Sequence, residues 1–455
     1  MIINAYVLNL AVLVGLLGWA SYSRAMRQRK RTPVAMSESM AAADEETAAG
    51  EEEPKGPDAM AEAKWYAFRN RFLRVYVLAV GADWLQGSFI YSLYKNTHQL
   101  PEPTIAALFA TGFVCGAISA TFVGSLADRF GRKLACMLYC IIYSVSCLTV
   151  LSANPSVLFF GRALGGVSTT LLFTTFDAWL VAEIHRLGFD GEDRLSAIFG
   201  EMSMANGFVA IACGVVSQVL VQVFGSEKAP FIGSVVVLIC AFVLISRYWP
   251  ENYGVSHDGG AQTSKSSTLA TLSDARLLAI SFAACFFEGS MYIMVFYWSE
   301  ALISAHGSPD LPFGLIFANF MSAMSLGSLG FARMTQDANS VQRSSQAIQL
   351  ALAVAASSLS VVVLVKQELV RFWALCVFEA CLGMYFPSMA YLKGNVIGDE
   401  HRGRIYGFMR LPLNVFVVSA LGSVKEGDAF RDNIFMVCSS FILVSTLGMA
   451  KYVRG

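Results

Sequence analysis

Charge is scarce in this chain. Asp, Glu, Lys and Arg make up 15% of its 455 residues, whereas apolar side chains make up 55% and mean hydropathy is +0.55. That balance excludes a string of soluble domains, whose cores could not hide so much apolar surface. The 33 basic and 33 acidic residues cancel, which says little about partners, and no nucleic acid is expected among them. Ten cysteines are present, yet none forms a Cys-x-x-Cys pair or a Cys/His cluster. Neither a disulfide framework nor a metal site is supported, and no metal or cofactor is expected. Most of these thiols fall inside apolar runs, where they act as small inert hydrophobes. Also missing are a nucleophile–base pair, a nucleotide-cradling glycine loop and metal-ligand spacing in any polar segment, which argues against an enzyme.

What is abundant is long apolar runs. Twelve of them, most near the ~20 residues that cross a bilayer, lie between residue 72 and the C-terminus. Helices are the expected spanning form, because each backbone group must then be satisfied within its own segment. Residues 1–21 add a thirteenth. No basic residue precedes that run, while Arg24, Arg27, Arg29, Lys30 and Arg31 follow it, the reverse of a signal peptide. It reads as an extra transmembrane helix with its N-terminus outside. Residues 22–71, with the Ala-, Glu- and Pro-rich stretch at 33–63, read as an acidic cytosolic linker unable to build a core. Residues 72–249 and 275–455 each hold six spans, and the polar stretch 250–274 is the loop between them.

Between the second and third of the twelve spans lies GSLADRFGRK, from Gly124 to Lys133. Glycine permits tight reversal or close helix approach, and an acid ending one helix can meet the basic cluster opening the next. Placing this loop inside puts most of the 33 Lys and Arg residues, and the C-terminus, in the cytosol. The spacing Gly-x3-Asp-Arg-x-Gly-Arg-Lys resembles the signature loop of the major facilitator superfamily. The halves also echo one another: GRALGG at 161–166 aligns with FEACLG at 378–383, and FGEMSM at 199–204 with YGFMRL at 406–411. Two parallel six-helix repeats with a substrate between them near the midplane is the arrangement that superfamily implies.

A charge at the bilayer centre costs about 3 kcal/mol on insertion scales, so each intramembrane charge needs a reason. The candidates are Asp83, Arg162, Asp177, Glu201, Glu288, Glu379 and Arg410. For any single one, an ion pair holding two helices together is the plain alternative. Asp83, Gly87, Ile90 and Tyr94 share a helix face suited to a pore lining, as do Arg162, Gly166, Thr169 and Phe173. Glu288 and Tyr292 face one way, and Arg410 precedes Pro412, whose missing N–H favours a bend. Two arginines suit an oxyanion, because guanidinium stays charged and offers a planar fork of donors. The acids could pair with them or carry protons, and proton-coupled anion uptake accounts for both signs.

Further stretches resemble the molybdate-anion transporter branch of the superfamily: ADWLQ at 82–86, YSLYK at 91–95, ENY at 251–253, FEGSMYIMVFYW at 287–298, PFGLIFANFM at 312–321 and GMYFPSM at 383–389. The second copy of the signature loop, GSLGFARMTQDA at 327–338, is degraded. The resemblance implies uptake of the tetrahedral molybdate dianion across the plasma membrane by a multi-pass monomer in the bilayer. The expected oxyanion contacts are Arg162, Arg410, Thr169, Tyr292 and Asn414. Asp83, Glu201, Glu288 and Glu379 are the expected coupling or pairing acids. Gly124, Asp128, Arg129, Gly131, Arg132 and Asp177 are the expected cytosolic gate. The same fold carrying sulfate, a sugar or another organic solute stays open, as does a non-transporting sensor.

Overall fold

A computed structural model describes residues 2–31, 57–189, 192–254, 274–335, 340–396 and 402–453. The first helix, α1 (Ile2–Arg31), is followed by α2 (Pro57–Gly87), a short α3 (Ile90–Ser92) running into a π-turn at Leu93–Thr97, α4 (Glu102–Ser119), α5 (Val123–Phe130), α6 (Arg132–Thr149), α7 (Pro155–Arg186), α8 (Glu192–Phe224) and α9 (Ala229–Tyr248). The second set comprises α10 (Ala275–His306), α11 (Phe313–Met334), α12 (Ser340–Leu364), α13 (Glu368–Val396), α14 (Arg402–Gly422) and α15 (Asp428–Tyr452). Among the described residues eleven helices are long and apolar enough to cross a membrane, and α14 contributes a shorter apolar stretch, Met409–Gly422. With α2 these form two six-helix bundles and one additional helix.

Local chemistry sets the helix starts. Asn154 accepts from the Ser156 N–H just ahead of Pro155 at the first position of α7, and Asp274 accepts from the Arg276 N–H to open α10. Both side chains satisfy donors that the helix leaves orphaned.

Helix reaches further than the apolar runs. α1 continues to Arg31 and α2 begins at Pro57, so both extend into the stretch 22–71 read as linker. Residues 57–71 carry four Ala, with Met60, Glu62, Lys64 and two Arg, all good helix formers. They also carry Trp65 and Phe68, buried against Phe189 and Trp179. Hydropathy alone misses such a segment because its stability comes from packing outside the bilayer. The remainder of the 33–63 stretch and most of the 250–274 loop lie outside the described residues.

The two bundles pack by the same plan. In the first, α4 lies on α7, α6 on α7, α2 on α9 and α6 on α9. In the second, α11 lies on α13, α12 on α13, α10 on α15 and α12 on α15. These are the same pairs one repeat later. The halves meet where α8 packs on α11 and α4 on α14. The additional helix α1 packs on α11. Its Tyr6 hydroxyl donates to Glu368 at 2.5 Å, the Asn319 amide donates to the Tyr6 carbonyl at 3.2 Å, and Arg333 donates to Ser23 at 2.7 Å.

Candidate functional site

The Gly131 turn is built by three segments. Arg132 pairs with Asp128 at 2.7 Å and donates to the Ala178 carbonyl at 3.1 Å. The ENY stretch after α9 closes over it. The Glu251 carboxylate accepts from the Lys133 and Leu134 N–H groups at 2.7 and 3.1 Å, capping α6. The Arg132 N–H donates to the Asn252 carbonyl, and the Gly254 N–H donates to the Asp128 carbonyl. Gly131 sits at φ +117, and a Cβ there would fall 2.6 Å from the Glu251 side chain, so the position admits only glycine. Gly124 lies against Thr174, Arg129 stays exposed over Phe130, and Asp177 lines a cavity beside Arg132. Sequence reasoning found the basic turn but not Glu251 as its cap, although it singled out ENY.

Within the first bundle, Asp83 accepts from the Tyr143 hydroxyl at 2.5 Å, and Gln86 donates to that same hydroxyl. The Arg162 charge acts on both Asp83 and Tyr94. Its guanidinium lies 4.9 Å over the Phe109 ring, and its Nε is buried without a hydrogen-bond partner. A buried charged donor left unmatched is costly, so Arg162 holds binding capacity in reserve.

The second bundle has a counterpart. The Tyr385 hydroxyl donates to Glu288 at 2.9 Å, and Lys393 pairs with the same carboxylate at 3.7 Å. Arg410 is exposed, and its charge acts on Tyr292 and on Lys393. Two cations and one carboxylate, from α10, α13 and α14, thus act on one another.

Rings on α4 link the clusters. Phe109 stands edge-on to Phe296 of the second half at 5.3 Å, and Phe113 stands edge-on to Tyr292 at 4.7 Å. Phe109 and Phe113 are one turn apart. Arg162 and Tyr292 therefore sit on neighbouring rings of a single helix, at the seam between halves. Further contacts across the seam are Tyr91 with Phe296, Phe89 with Phe313 and Trp84 with Phe317.

Not every expected residue joins this cluster. Glu201 pairs with Arg69 at 2.5 Å inside the first bundle. Glu379 is buried in α13, with no hydrogen bond or ion pair among the described residues. Thr169 is exposed and donates back to the Gly165 carbonyl at 3.0 Å, and Asn414 is half-buried on α14. Sequence reasoning missed Tyr143, Tyr385, Lys393, Phe109 and Phe113. Tyr385 lay inside a stretch it had singled out. The two phenylalanines are indistinguishable in sequence from any lipid-facing ring.

A family described as sugar transporters with twelve transmembrane segments matches residues 51–384. Named relatives cover nearly the whole chain. A molybdate-anion transporter of Takifugu rubripes is 31% identical over 84% of this chain and 87% of its own length. One from Danio rerio is 30% identical over 86% of this chain and 88% of its own length. Among solved structures, the nucleoside transporter NupG superposes with a TM-score of 0.64 over 85% of this chain and 100% of its own, at 12% identity, a likeness of fold alone. With two matched six-helix bundles, a signature turn and relatives along its length, the chain belongs to the molybdate-anion transporter branch of the major facilitator superfamily and is a membrane transporter rather than an enzyme.

Proposed function

We propose that the chain carries molybdate across the plasma membrane by rocking its two bundles, so that the seam opens to one side at a time. The observation that carries this reading is the charge pattern at the seam. In the first half Arg162 lies over Phe109, which touches Phe296 across the seam, and in the second the Arg410 charge acts on Tyr292, which touches Phe113. Each half also holds a tyrosine-bound carboxylate, Asp83 and Glu288. A tetrahedral dianion held between Arg162 on one side and Arg410 with Lys393 on the other draws the halves together, which couples binding to movement. The Gly131 turn faces the cytosol and latches that side. Asp83 and Glu288 exchange protons with the medium as the cation beside each engages or releases substrate.

Purified protein in proteoliposomes tests this with labelled molybdate and sulfate as competitor. Molybdate accumulation faster than in empty vesicles, driven by an inward proton gradient, is the expected result. Asp83→Asn and Glu288→Gln should keep exchange of molybdate for molybdate while losing the response to the gradient. If Arg162→Lys and Arg410→Lys together left uptake and its half-saturation unchanged, the oxyanion site would be elsewhere. The sugar-transporter description of the matching family favours a second reading, a neutral polyol substrate. Sugar flux unaffected by either arginine variant would support that reading.

A further inference from the structure

Away from the seam, at the Gly131 end of the first bundle, lies a cavity of about 1330 Å³. Among the described residues its wall carries five cations, Lys64, Arg71, Arg186, Arg194 and Arg247, and one carboxylate, Glu183. Four helices contribute them: the N-terminal extension of α2, the end of α7, the start of α8 and the end of α9. Glu183 is taken by Arg186 at 2.5 Å and pairs with no other cation among the described residues. Arg194 lies beside Trp65 and Phe189, at 5.5 and 5.3 Å to the ring centres. Arg71 and Arg247 are exposed, with no hydrogen bond or ion pair among the described residues. The floor is aromatic: Trp249 stacks on Trp179 at 3.8 Å, is 2% exposed, and its indole N–H is buried without a partner.

Like charges gathered around one space repel unless an anion occupies it. Nothing in the transport scheme uses this cavity. It sits at the ends of two helices long and apolar enough to cross a membrane, Pro155–Arg186 and Ala229–Tyr248, and acidic headgroups gather at the ends of such helices. Guanidinium forks match phosphate oxygens in pairs, and the ring floor accepts a sugar face or an acyl stem.

We propose that this cavity binds a phosphorylated anion, its phosphates bridging α2, α8 and α9 through Arg71, Arg194 and Arg247. Two sources present that chemistry, the headgroup of an acidic phospholipid and a soluble phosphate ester, and the test separates them. Full-length protein in phosphatidylcholine nanodiscs is compared with protein in nanodiscs containing a phosphatidylinositol bisphosphate. A third sample in plain nanodiscs receives soluble inositol trisphosphate. The readouts are the thermal unfolding midpoint and bound phosphate per protein. Stabilisation by the lipid alone identifies a lipid site, and stabilisation by both identifies a headgroup site open to soluble esters. In either case Arg71→Gln and Arg247→Gln should each weaken binding by about tenfold, the cost of one charge-assisted contact. Rising salt should weaken it further. Lys425→Gln, exposed at the far end of the second bundle, should change nothing. Neither variant removes a contact between described residues, so both should fold, which circular dichroism and unchanged molybdate flux in plain vesicles will report. The proposal is overturned if neither probe stabilises the protein above phosphatidylcholine, or if the double variant Arg71→Gln/Arg247→Gln binds as tightly as the wild type.

Discussion

The two bundles place the same packing device at matched positions and then diverge in charge. Gly166 on α7 lies so close to α4 that an added Cβ would collide with the Gly112 carbonyl. Gly383 on α13 lies so close to α11 that it would collide with the Met324 carbonyl. Backbone contact of this kind, through small residues, is how helices associate where lipid offers no hydrophobic drive. Four residues earlier, one half has Arg162 and the other Glu379. The arginine reaches a ring at the seam. The acid stays buried within α13, and its half draws its cations from Lys393 and Arg410 instead. Each half still presents an acid held by a tyrosine, Asp83 with Tyr143 and Glu288 with Tyr385. The repeat kept its helix geometry, which every position along an interface enforces. Its charges differ between the halves, because a charge is held by its own local partners rather than by the interface geometry.

Breaking the shared device should have the largest effect. Gly166→Leu and Gly383→Leu each force backbones apart and should cost about 3 kcal/mol or more. Thermal unfolding in detergent should show both variants melting well below the wild type, by similar amounts.

The divergent position should respond unequally. Arg162→Ala is expected to lower molybdate uptake about a hundredfold, with Arg162→Lys recovering part of it because charge returns without the fork. Glu379→Gln should keep most of the uptake. Equal losses at the two positions would mean that both act on substrate and that the halves differ less than their charges suggest. Lys393→Met should raise the half-saturating molybdate concentration about tenfold, less than Arg162→Ala, since Arg410 stays in place. Initial-rate measurements over a range of concentrations decide this.

The tyrosines offer a finer comparison. Tyr143→Phe and Tyr385→Phe each remove one donor from a carboxylate and should slow uptake about threefold in each half. Smallest is Tyr6→Phe, which removes the bond from α1 to Glu368. About 1 kcal/mol of docking is at stake, read as faster amide hydrogen exchange in α1 with transport unchanged. A large transport defect there would make α1 a moving part rather than a brace.

The class of protein was legible from residue order because solvent is the strongest constraint. Runs of about twenty apolar residues leave few alternatives to spanning helices, and the spacing around Gly124–Lys133 demands a tight charged turn. Arg162, Asp83, Glu288 and Arg410 were also legible, because an ionised group within an apolar run stands out by its cost. Tertiary structure alone decided the partners. Nothing in the sequence says that Tyr143 and Tyr385 hold the acids, that Glu251 caps the turn from 118 residues away, or that Phe109 and Phe113 join the halves. It likewise took the fold to separate Glu201, paired with Arg69, from the acids at the seam, and to gather five cations from four helices around one cavity. Burial energy acts on each segment separately and so can be read along the chain. Pairing energy falls off within a few ångströms and exists only after distant segments have been brought together.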